Sequence, residues 1–284
     1  MIFAIVGGLG AAAAWAVSTL CSSRSSRMIE PVSVVAWVMI VGLVITAPIA
    51  ALRGVPPRLG GSAGVWLIAA GAGNVAGLLL TYAAMRIGQV ALVAPLVSTE
   101  GAIAAVIAVL AGERLASAAG VALAVIVLGV FLAATPESRT ADRDRVGQPE
   151  SALLALAAAS VFGASLYATG RASLLLPAAW VVLSARLIGT VAVAAPLALA
   201  GRLRLTRRAL PLVVGAGICE VVGFYSYTLG SRHGIAIAAV LASQFGALAA
   251  VIGYMLFKER LSRVQVGGVI LVVVGVALLS ALEG

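Results

Sequence analysis

Five polar side chains stand near the middle of long apolar runs: Asn74, Glu100, Arg186, Glu220 and Gln244. An ionisable group at the centre of a membrane helix costs roughly 2.5–3.5 kcal/mol on insertion scales, so it faces a cavity or a partner. Two carboxylates, a guanidinium and two amides are suited to holding a polar solute. A carboxylate among them is also suited to carrying a proton.

Arg186 and Glu220 lie on consecutive runs at similar depth. Two readings stay open for them. They form a buried ion pair that keeps two helices in register, or one or both line a substrate cavity. Removing one partner of a buried pair costs ~3–5 kcal/mol, so a single mutant fits both readings. Glu100 has no basic residue on its own run. It is either a protonated carboxyl in an apolar bundle or a group that binds substrate or couples protons. Glu220, Gly223 and Tyr227 follow i, i+3, i+7 spacing and share a helix face. Tyr227, and Tyr82 at comparable depth of an earlier run, are interfacial anchors or cavity walls. Trp15, Phe162 and Tyr167 pose the same choice. The candidate substrate-binding or coupling set is Asn74, Tyr82, Glu100, Arg186, Glu220, Tyr227 and Gln244.

Other chemistries lack their residues. There is no Ser/His/Asp set, no Walker glycine loop, no HExxH and no paired acid cluster, so no catalytic residue is assigned. The single histidine, His233, sits beside Arg232 at the end of a run and reads as a loop residue. Cys21 and Cys219 fall at different depths, which argues against a disulfide, and one His with two Cys offers no metal spacing. No cofactor is expected.

The elements that hold these residues must be membrane helices. Hydrophobic residues make up 62% of the 284 residues and charged ones 10%, against roughly 25% charged in a soluble domain. Ten apolar runs are long enough to cross hydrocarbon: 1–21, 31–51, 62–84, 90–111, 116–134, 151–170, 177–200, 209–230, 235–256 and 263–282. The first run lacks a basic region before its apolar stretch and is read as a span, not a cleaved leader. The net charge of +9 comes from arginines at the ends of runs, with no basic stripe interleaved with aromatics. Nucleic acid is therefore excluded as a partner.

The runs repeat. At an offset of 146 residues Pro31 falls on Pro177, Gly77 on Gly223, Arg86 on Arg232, Gly88 on Gly234 and Glu113-Arg114-Leu115 on Glu259-Arg260-Leu261. Fixed-offset similarity signals a repeat architecture. Residues 1–134 form one five-helix repeat, 135–150 a polar linker and 151–284 the second repeat. Five spans is an odd number, so the second repeat enters the membrane inverted. The expected fold is all-α: ten transmembrane helices in two inverted repeats around a central cavity. Asn74 and Glu220 are equivalent under this offset, as are Ser98 and Gln244; Glu100 has Gly246 as its counterpart and breaks the symmetry.

Local patterns refine this. Ala69, Gly73 and Gly77, with Gly215, Cys219 and Gly223, put small residues at every fourth position, which predicts tightly packed third and eighth helices. Pro95 removes a backbone donor five residues before Glu100 and predicts a break there. Thirteen basic loop residues lie on the face opposite the termini and five on the terminus face, which places both termini outside.

Gly112-Glu113-Arg114-Leu115 followed by Gly120 and Gly129, and Lys258-Glu259-Arg260-Leu261-Ser262 followed by Gly267, Gly268 and Gly275, resemble the repeat ends of the drug/metabolite transporter superfamily, EamA-type family. Arg186 matches that family's arginine in the second helix of a repeat. The resemblance spans nearly the whole chain. It implies a secondary transporter of the plasma membrane, exporting small metabolites or drugs by alternating access, with membrane lipid around it and protons as a candidate coupling ion. It also implies cytoplasmic termini, against the arginine count. The family's prolines near Thr99-Glu100 and Phe245-Gly246 are absent, so its glutamate's role is not carried to Glu100. The rivals are a membrane-embedded enzyme and a passive facilitator or scaffold.

Overall fold

The computed structural model describes residues 2–57, 59–87, 93, 96–134, 148–249, 252 and 263–283. Every regular element among them is helical. They are α1 (Ile2–Ser25), α2 (Pro31–Leu52), α3 (Ser62–Ile87), α4 (Glu100–Leu110), α5 (Ser117–Ala134), α6 (Gln148–Leu175), α7 (Ala178–Gly189), α8 (Ala195–Leu199), α9 (Leu210–Gly230), α10 (Ile235–Ala242) and α11 (Arg263–Glu283). Six stretches are long and apolar enough to cross a membrane: 2–25, 31–52, 62–81, 149–175, 178–199 and 210–233. The other four expected spans hold shorter described apolar stretches, at 100–110, 117–132, 235–249 and 266–275.

Prolines mark the starts. Pro31 opens α2, Pro177 caps α7 and Pro211 lies in the first turn of α9, where a missing N–H costs nothing. Pro196 instead follows a long helical run. Its ring crowds the carbonyl one turn back, and the five residues Thr190–Ala194 widen into a π-helix that joins α7 to α8.

The distribution of side chains is inside out relative to a water-soluble protein. Large apolar residues such as Val44, Leu79, Val121, Val191 and Val273 lie exposed on the outside. The interior holds many alanines and glycines and several hydroxyls among its valines, isoleucines and leucines, and Arg186 is buried in it. Lipid supplies no hydrophobic drive between helices, so close packing of small residues takes over. A Cβ at Gly77 would come within 2.6 Å of the Phe162 ring, and one at Gly73 within 2.9 Å of Ser165 Cβ. These contacts lock α3 onto α6. Gly223 lies against the indole of Trp15 and locks α9 onto α1 in the same way; Gly215 is looser, 3.9 Å from Cys21.

Helix pairing is reciprocal between the halves. The two most extensive contacts are α3 with α6 and α1 with α9. At the 146-residue offset α1 corresponds to α6 and α3 to α9, so each pair is the other's image. The contacts of α2 with α9 and α3 with α7 exchange likewise.

One prediction follows from the packing. Gly223→Ala pushes a methyl into Trp15 and should lower the melting temperature by several degrees, since overpacking costs typically ~1–3 kcal/mol. Gly120→Ala is the matched control: nothing lies within 4 Å of it, so its melting temperature should hold or rise. Equal melting temperatures for the two variants in detergent would contradict the packing.

Candidate functional site

The centre is made by two interrupted helices that cross. Before α4 the chain turns at Ser98 and Thr99; after α10 it turns at Ser243 and Gln244, then resumes as helix over 245–249. These breaks fall within a residue of equivalent positions in the two repeats. A hydroxyl satisfies the backbone at each: Thr99 Oγ1 donates to the Leu96 carbonyl at 2.7 Å and Ser243 Oγ to the Val240 carbonyl at 2.8 Å. The second break contains no proline. Pro95, expected to cause the first, lies outside the described residues.

The crossing is close because it is built on glycine. A Cβ at Gly101 would meet the Ala239 carbonyl and Ser243 Oγ, each at 2.5 Å, and one at Gly246 would lie 3.3 Å from Ser98 Oγ. Glu100 is the first residue of α4 and is buried beside this crossing. Gln244 is buried at the break itself. Its Nε2 donates to the Val240 carbonyl at 3.4 Å, and its Oε1 finds no partner among the described residues.

A second polar cluster bridges α1, α7 and α9. Arg186 is fully buried. Its Nη2 lies 3.3 Å from Glu220 Oε2, and its Nη1 donates to Met39 Sδ at 3.4 Å. The guanidinium carbon sits 4.4 Å from the centre of the Phe224 ring. Ser18 Oγ donates to Glu220 Oε1 at 3.2 Å. Glu220 keeps 25% of its side chain exposed, so the pair is open on the carboxylate side only. Arg186 Nε has no partner among the described residues. A buried guanidinium with an unused donor is costly, and an acceptor delivered by a ligand would complete it.

Four aromatic rings join the two clusters. Trp15 lies edge-on to Phe224 at 5.3 Å and to Phe245 at 6.5 Å, with Tyr227 at 6.2 Å. Tyr227 is fully buried and its hydroxyl donates to the Leu166 carbonyl at 2.8 Å. Trp15 and Tyr227 are therefore interior residues, not interfacial anchors. The Trp15 Nε1 donor is also unpaired among the described residues.

Of the seven candidate residues, the structure pairs Arg186 with Glu220, packs Tyr227 on Trp15, and puts Glu100 and Gln244 at the helix crossing. Asn74 is half-buried on α3, next to the Gly73 contact with α6. The side chain of Tyr82 lies outside the described residues. Tyr167 packs on Trp66 instead, at 5.8 Å, and His233 sits in an exposed 3-10 turn with its Nδ1 3.4 Å from the Leu229 carbonyl. Ser18, Phe224 and Phe245 were not singled out from sequence. Phe224 had a signal, being one turn after Glu220 on the same face. Ser18 and Phe245 had none. Among the described residues no group of His, Cys, Asp or Glu could hold a metal ion.

No curated protein is similar enough in sequence to match this chain. A solved structure described only as "Crystal structure of protein" matches with a TM-score of 0.82 at 19% identity, over 98% of this chain and 96% of that one. At that identity the likeness carries the fold and nothing finer. The model of the EamA-like transporter family matches twice, over residues 2–135 and 150–281, and the chain belongs to that family.

Proposed function

We propose that this chain is a secondary transporter that exports a small polar metabolite across the plasma membrane by alternating access. In this reading ten spans form two inverted repeats, which rock about the crossing of the interrupted helices. The reciprocal pairing of helices supports the inverted arrangement. The observation that carries the reading is the interior itself: buried donors and acceptors on Arg186, Gln244 and Trp15, without partners among the described residues, beside an aromatic wall. Buried polar atoms without partners are rare in a finished core and are expected where a solute supplies the missing bonds. Broken helices at mid-depth with such groups mark transport sites in repeat-built carriers.

Substrate binds between the clusters, with an acceptor group on Arg186 and its apolar part against Trp15 and Phe224. Glu220 and Glu100 are the groups that release or take up protons as the cavity changes sides. Both termini lie outside, on the arginine count; a C-terminal alkaline phosphatase fusion should be active and a C-terminal GFP fusion dark. The function is tested in proteoliposomes loaded with a metabolite mixture and given a proton gradient. At least one small metabolite should leave uphill, and an uncoupler should abolish that flux. Flux that is only downhill and indifferent to the uncoupler would mean a passive facilitator.

A further inference from the structure

The two ends of the bundle are distinct. At one end Trp180 Nε1 donates to the Gly54 carbonyl at 2.9 Å, and Arg232 Nη2 to the Leu176 carbonyl at 2.7 Å. At the other, Ser33 Oγ donates to the Arg202 carbonyl at 3.4 Å and Trp37 Nε1 to the Arg204 carbonyl at 3.1 Å. At the first end the turn after α4 reaches across to the other repeat. Glu113 Oε2 accepts the N–H of Ile235 at 3.1 Å, and Glu113 Oε1 accepts the N–H of Ala236 at 3.1 Å. These are orphan donors at the first turn of α10, where no intrahelical carbonyl is available. A carboxylate there also meets the positive end of the helix dipole.

The local backbone is shaped for this contact. Gly234 has φ +155°, a conformation that L side chains rarely adopt, and it turns the chain from the 3-10 segment Ser231–His233 into α10. A Cβ at Gly234 would lie 3.6 Å from Glu113 Oε1. Beneath the contact Ala108, Ile235 and Ala236 are buried together, and Ala108 and Ile235 also line a cavity of about 370 Å³ that opens at this end. The contact thus joins the two repeats across 122 residues of chain. Glu113 is the one side chain in both of these hydrogen bonds.

We propose that Glu113 is the latch of this end: a positioning residue whose carboxylate holds the start of α10 on the turn after α4 when the end is closed, and lets go when it opens. This assigns a role to the glutamate of the Glu-Arg-Leu motif. Its sequence equivalent, Glu259, lies outside the described residues. The inference rests on the alternating-access reading above.

The test uses the full-length chain in vesicles, with Cys21 and Cys219 replaced by serine and one reporter cysteine added. Ala108→Cys reports the Glu113 end and Ser33→Cys the opposite end; both sites are buried in this structure. The measurement is the rate of reaction with a membrane-impermeant maleimide supplied to the reporter's own face. Adding Glu113→Ala should speed Ala108→Cys by about tenfold or more, because two charge-assisted hydrogen bonds are lost. It should leave Ser33→Cys unchanged or slower, because opening one end closes the other. Glu113→Gln keeps one acceptor and should fall between wild type and alanine; it carries the test if the alanine variant does not insert. Equal acceleration of both reporters would show that Glu113 only braces the fold, and an unchanged Ala108→Cys rate would remove it as a latch. Without the Glu113 change, both reporters must react measurably. If neither does, alternation fails and the latch with it. If both react and neither Glu113 variant alters the rates, the latch alone is overturned.

Discussion

Arg186→Ala is expected to destabilise the protein more than any other single change in its interior. The substitution leaves the Glu220 carboxylate three-quarters buried without its cation, removes the charge stacked on Phe224 and empties the space between Met39 and Gly42. Breaking a buried pair costs ~3–5 kcal/mol, which corresponds to a fall in melting temperature on the order of 10 °C. Stability alone does not tell a brace from a binding group. The double variant Arg186→Met/Glu220→Gln does. It removes both charges while keeping volume, and such replacements are often neutral or stabilising. The melting temperature should recover most of the loss, and transport should stay absent. Recovery of transport together with stability would make the pair a helix brace and nothing more.

The second large effect is expected at Glu100. Glu100→Gln keeps the size of the side chain and its place beside the Gly101 crossing but removes the titrating group. The protein should insert and melt like wild type. Uphill export driven by a proton gradient should fall by at least about tenfold, while exchange of substrate for substrate across the membrane continues. The difference arises because exchange needs the binding site but not net proton movement. If uphill export and its pH dependence match wild type in both Glu100→Gln and Glu220→Gln, neither carboxylate couples transport.

The helices were legible because lipid imposes length. A span needs about twenty apolar residues, and polar loops with prolines mark its ends. The runs read at 31–51 and 209–230 meet the structure at Pro31–Leu52 and Leu210–Gly230. Which face of each helix looks inward was harder to read. These helices are apolar all round, so hydropathy has no preferred side; the signal lies in small against large residues, as at Gly73 and Gly77. The site was legible only where a charge stood out. Arg186 and Glu220 could be noticed from cost alone, and an ion pair between them was one of two open readings. The break at Ser243–Gln244 has no sequence mark, because no proline causes it. It depends on the crossing with α4, a contact between residues more than 100 positions apart. Phe245 was hidden for the same reason, since only that break swings it toward Trp15.

The central claim is that the Arg186–Glu220 cluster and its aromatic wall form a transport site for a small metabolite. It is tested most directly by comparing metabolites outside cells that produce the wild-type chain with those outside cells producing equal inserted amounts of Arg186→Met/Glu220→Gln. The account predicts at least one small metabolite enriched outside wild-type cells and not outside cells with the double variant. Identical external profiles, or enrichment that survives in the double variant, would contradict it.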